Sequence, residues 1–146
     1  MSEMWRRTTL VLLASWAFGC QPAIMYGGPR RPRSQVAKLS LKDATLGLID
    51  GRRYRYLGSD IFEFLPGRHV FGVGYQSAEN AVLVTIVTYS RQTQLICLDL
   101  MPGHRYVVIS RMDKSRSSWR PTARDDDTGE WLDVTCGDDD DGAEEP

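Results

Sequence analysis

A chain of 146 residues, 42% hydrophobic and 25% charged, has the size and composition of one compact globular unit. That excludes a wholly disordered chain, a collagen-like repeat and a polytopic membrane protein. A net charge of −1 gives no global attraction to nucleic acid, and two His and three Cys leave little material for a metal or catalytic centre.

Arg6 and Arg7 lead into an uncharged stretch, Thr8 to Gly19 (TTLVLLASWAFG), that ends at Cys20. Twelve helical residues span ~18 Å, far short of a ~30 Å hydrocarbon core. Residues 1–19 are therefore expected to be a secretory signal peptide. An ordinary signal followed by an incidental Cys, or a buried helix, are the plainer alternatives. Ala17-Phe18-Gly19-Cys20 resembles the lipobox of bacterial lipoproteins, with Ala17 where that family usually has Leu. The resemblance implies that Cys20 becomes the acylated N-terminus and that a lipid bilayer is the first partner. Two or more acyl chains anchor stably, whereas one binds only marginally. Gln21 rather than Asp follows Cys20, which in enteric-type bacteria resembles the default for the outer membrane, facing the periplasm.

Residues 20–35 contain Pro22, Gly27, Gly28, Pro29 and Pro32 without sustained periodicity, and are expected to be a flexible tether. Arg30, Arg31 and Arg33 could meet anionic headgroups or simply keep the linker solvated. From Val36 the pattern becomes short and alternating. Val36–Leu41 predicts a strand with one wet face, and Asp50-Gly51 predicts a hairpin turn between Leu46–Ile49 and Arg53–Leu57. Ile61–Leu65 predicts a further strand, followed by His69–Tyr75 and a loop around Ser77–Asn80. Ala81–Tyr89 (AVLVTIVTY) is β-branched and apolar, as expected of a central strand buried on both faces. Gln94–Leu100, Arg105–Arg111, Trp119–Ala123 and Trp131–Val134 complete the set. The fold class expected is all-β: one compact antiparallel sandwich over residues 36–136, closed by an acidic disordered tail at 137–146.

One internal echo is present. Leu65-Pro66-Gly67-Arg68-His69 aligns with Met101-Pro102-Gly103-His104-Arg105 at an offset of 36, each pair reversing the chain before a strand. Independent turns of a common sort explain it as well as duplication does. These turns, with "FEFLPGRHVFGVGY", "LDLMPGHRYVVISR" and "DDDTG", resemble the small bacterial lipoproteins that carry a PEGA-like β-sandwich domain. The likeness covers about residues 36–135. It implies the sandwich and the anchoring and transfers no catalytic residue.

Few residues are candidates for chemistry. Cys97 and Cys136 read as a disulfide of an oxidising envelope, with free buried thiols or a nucleophile as the alternatives. His69 and His104 each sit beside a Pro-Gly turn, and two His alone make a poor zinc site. The runs Asp125–Asp127 and Asp138–Asp141 lack the alternating ligands and terminal Glu of an EF-hand loop. Trp119 and Trp131 lie among Arg120, Arg124 and Glu130, where they either cover the core or stack on a ligand. No cofactor, metal or nucleic-acid partner is expected. The expected function is a non-catalytic binding or structural module of the envelope, with an unidentified envelope protein or glycan as partner. The alternatives are a glycan- or peptidoglycan-binding module using Trp119 or Trp131, and a small hydrolase using His69 or His104.

Overall fold

A computed structural model of the chain describes residues 21–55, 59–80 and 82–137. The expected signal peptide, Cys20 and nearly all of the expected acidic tail lie outside the described residues. Eleven strands and one short 3-10 helix make up the described chain.

The larger sheet holds six strands in the order β1 (Ala23–Ile24), β5 (Ile61–Phe64), β2 (Ala37–Lys42), β9 (Arg105–Asp113), β10 (Ser118–Asp125) and β11 (Trp131–Leu132). The smaller sheet runs β4 (Arg52–Arg53), β3 (Ala44–Ile49), β6 (Gly67–Asn80). The far edge of β6 carries β8 (Gln94–Leu100) along its first half and β7 (Thr85–Tyr89) along its second. The two sheets face one another over an apolar core of Leu39, Phe62, Phe64, Phe71, Val73, Ile96, Leu98 and Val108, each at most 1% exposed. Period-two alternation places these side chains. In β10, for example, Trp119, Pro121 and Ala123 are buried while Ser118 and Arg120 are exposed.

The architecture is the all-β sandwich expected, with one difference: the larger sheet is mixed. β1 runs parallel to β5, and β2 parallel to β9. Asp50-Gly51 forms the expected hairpin turn. Both residues have positive φ (48° and 76°), the condition a two-residue turn needs to match strand twist, and Gly meets it without a Cβ clash. β4 is shorter than the strand expected there, and residues 56–58 lie outside the described residues.

Three further expectations differ from the structure. The segment predicted to be a loop at Ser77–Asn80 continues β6, which is 14 residues long and pairs Gln76–Asn80 with β7. The stretch predicted to be a central strand at Ala81–Tyr89 is instead an edge: all five residues of β7 are exposed, and Val82 and Leu83 before it are 98% and 93% exposed. Its composition reflects an apolar surface rather than a core position. Lastly, residues 21–35 do not hang free. β1 adds to the edge of β5, the Met25 amide donates to the Glu63 carbonyl, and the Arg30 guanidinium bonds the Glu63 carboxylate at 2.8 Å. Glu63 is 2% exposed, with Lys38 at 3.8 Å as its second cation. A carboxylate buried on a strand needs these partners, and so holds the segment down.

Candidate functional site

The two Pro-Gly turns lie at one end of the sandwich. Phe64, just before the first, pairs with Ala37, and Lys38 pairs with Arg105, just after the second. Each turn presents a His whose Nδ1 faces an aspartate: His69 to Asp50 at 2.7 Å and His104 to Asp125 at 2.6 Å. The sequence echo is thus repeated in side-chain pairing. Asp50 also accepts the Val70 amide, so it ties the β3–β4 turn to β6. His69 Nε2 lies 2.8 Å from the Leu65 carbonyl oxygen, so both ring nitrogens are engaged and neither is free to move a proton for a substrate. His104 stacks on Tyr106 at 6.2 Å and belongs to a denser cluster.

That cluster joins His104, Asp125 and Asp127, whose ligand atoms lie within 4.8 Å of one another. The sequence shows the Asp run and His104 apart; the β9–β10 register, with Tyr106 opposite Asp125, brings them together. Their oxygens are already used by the protein. Asp125 accepts the Asp127 and Thr128 amides, and Asp127 accepts the Arg105 amide and guanidinium at 2.7 and 2.8 Å. Burial works against the Asp125 carboxylate, but His104 and the two amides outweigh it and hold the carboxyl below the usual range. Arg105 does the same for Asp127, and Asp127 in turn raises Arg105. A cation at this point would have to displace a guanidinium, so the donor set fits a turn brace better than a metal centre.

The outer face of the larger sheet is basic. Arg111 lies directly opposite Arg120 across β9 and β10, and Arg124 opposite Trp131 across β10 and β11. Trp131 is 49% exposed, with the guanidinium of Arg111 over its ring at 5.0 Å and that of Arg124 at 5.6 Å. Cation–π attraction holds this stack. The placing of Arg111 opposite Arg120 is unfavourable in itself, since like charges in directly opposed strand positions repel. A groove of about 440 Å³ next to them is lined by Arg111, Arg116 and Arg120 together with Asp113, Trp119 and Thr122 among others. A smaller cleft of about 230 Å³ at the opposite end from the Pro-Gly turns includes Tyr54, whose hydroxyl is buried without a hydrogen-bond partner among the described residues.

Of the other candidates, Trp119 is 7% exposed and packs against the core, tilted against Tyr75 at 6.4 Å, and it also lines the groove beside Arg111 and Arg120. Cys97 and Cys136 form a disulfide across 39 residues, with Cα atoms 5.0 Å apart. Cys20 lies outside the described residues. The Arg111–Trp131–Arg124 stack was not apparent in the sequence, because it depends on the register of three strands. The alternation of Arg120, Thr122 and Arg124 along β10 was its only local signal. No family model, curated protein or solved structure matches this chain.

Proposed function

We propose that this chain is an exported, lipid-anchored module of a bacterial envelope, of the PEGA-like kind. It binds an acidic partner through the outer face of its larger sheet and is not a catalyst. The observation that carries the binding reading is the Arg111–Trp131–Arg124 stack beside Arg120. Opposed arginines lower the stability of the free domain, and an anionic group placed between them would relieve that repulsion. Export is supported by the leader before Cys20 and by the Cys97–Cys136 disulfide, a bond that persists in oxidising compartments.

A glycan reading rests chiefly on Trp131, the exposed ring, with the largely buried Trp119 in the groove nearby. A carboxylate- or phosphate-bearing glycan satisfies both the ring and the guanidinium groups, so peptidoglycan is the natural first ligand to test. Co-sedimentation with purified peptidoglycan and with a neutral polysaccharide separates charge from sugar recognition. The expected result is retention on the acidic polymer, lost roughly tenfold in both Trp131→Ala and Arg111→Ala. Equal retention of wild type and both variants removes this face as the binding surface.

A further inference from the structure

The end of the sandwich opposite the Pro-Gly turns carries a second surface. β6 passes Tyr75, its last residue paired with β3, and continues five residues to Asn80 with only β7 beside it. Five strand residues span about 17 Å, the first of them still against the body, where Gln76 and Ala78 line the cleft with Asp60 and Phe62. The tip of this arm is Val82, Leu83 and Val84, exposed by 98%, 93% and 61%. A lone two-stranded ribbon is marginal in water, and an apolar patch of this kind marks a contact site.

Two further observations point to what covers it. The β9–β10 hairpin projects from the same end of the facing sheet, since β9 runs four residues beyond Ile109, the partner of Lys42 at the end of β2. Its turn carries Lys114 and Arg116, the latter 3.7 Å from Asp113, so a tip of net positive charge stands at the same end as the apolar one. The N-terminal chain leads to this end as well. Ala23 pairs with Phe62 in parallel, so from Ala23 back towards Gln21 the chain runs towards the start of β5, where the Asp60 carbonyl accepts the amide of Leu41, near the end of β2. The twenty residues before Gln21, with the apolar stretch and Cys20, therefore join the domain on the side of the two hairpins.

We infer that this end docks on a lipid bilayer, with Val82–Val84 inserted among the acyl chains and Lys114 and Arg116 against anionic headgroups. The proposal rests on the anchored reading for how the chain reaches the bilayer, but the contact uses different residues. A wedge of this size sits about 5–10 Å deep at the headgroup boundary. A second copy of the chain is a poorer occupant. Pairing along the free edge of β7 would leave the tip, the most exposed part, in water.

The test uses the membrane-extracted protein carrying Leu83→Cys, labelled with a polarity-sensitive dye and reconstituted in phosphatidylcholine vesicles with and without phosphatidylglycerol. Leu83 is so exposed that the substitution leaves the core untouched. Thr128→Cys, in the turn after β10, reports on the opposite end. The expected result is a blue shift and strong quenching by nitroxide lipids at residue 83 but not at residue 128. Lys114→Gln and Arg116→Gln should each lower the inserted fraction about fivefold on the anionic vesicles. Quenching at residue 83 no greater than at residue 128 overturns the proposal, as does a dye shift that tracks dimer formation in lipid-free solution. The mass of the labelled chain separates the two readings. An acylated Cys20 takes no dye, whereas a second label and no acyl mass remove the anchor. Quenching at residue 83 after flotation with vesicles still decides the tip contact.

Discussion

Single residues set the fit between neighbouring strands. Gly72 in β6 has no room for a side chain, because a Cβ there would lie 2.7 Å from Leu48 Cβ and 2.9 Å from Thr93 Cγ2. This crowding adjoins the irregular register of β3 between Leu46 and Leu48. Gly72→Ala is expected to destabilise the domain by about 1–3 kcal/mol as these atoms are pushed apart. A lowered urea midpoint with an unchanged slope would show it, and an unchanged midpoint would mean that the backbone yields freely. The brace at the Pro-Gly end makes a different prediction. Asp125 and Asp127 bind protons less readily folded than unfolded, so their bonds contribute fully at neutral pH. That contribution is lost as the pH falls from the unfolded aspartate value, about 3.9, through the lower folded one. Asp125→Asn should lower the urea midpoint at pH 7 and flatten its decline between about pH 5 and pH 2. An identical acid decline in both proteins would assign the loss to other carboxyls.

At the scale of the strands, the last segment closes one side of the sandwich. After β11 the chain leaves the larger sheet for the edge of β8, where the Cys97 amide donates to the Val134 carbonyl and the disulfide to Cys136 follows. Breaking that link with Cys136→Ala is expected to cost about 2–4 kcal/mol, because the unfolded chain regains the freedom of a 40-residue loop. Oxidised and reduced wild type should differ by a similar margin in denaturant, while the variant should be indifferent to reductant. Strand positions in this chain were legible wherever a turn residue punctuated the pattern: Asp50-Gly51, Pro66-Gly67 and Pro102-Gly103 all fall where chain reversals occur. The arm was not legible. No Gly or Pro marks its tip, and polar Gln76–Asn80 continues an apolar strand, so a periodic reading ends β6 early. An apolar run carries no local sign of whether it faces a core or a surface. For the same reason the basic face was hidden. Arg111, Arg124 and Trp131 meet only through cross-strand register, which short motifs do not encode.

At the scale of the whole molecule, the domain has two distinct ends. One gathers His69, His104 and the aspartates that brace them; the other presents an apolar arm beside a cationic turn. The basic sheet face runs up to the arm end, where its groove shares Arg116 with the cationic turn. This arrangement gives each proposed surface its own readout: acid-polymer retention for Trp131 and lipid quenching for residue 83.

The parallel pairing of β2 with β9 has a consequence for biogenesis. The centre of the larger sheet joins Lys38–Lys42 to Arg105–Ile109, partners more than sixty positions apart. Closing so long a loop is slow, and during synthesis the first partner must wait for the second to emerge. Until then the smaller sheet, whose strands all lie between Ala44 and Leu100, can form while the larger one stays open, so the larger layer is the last to knit together.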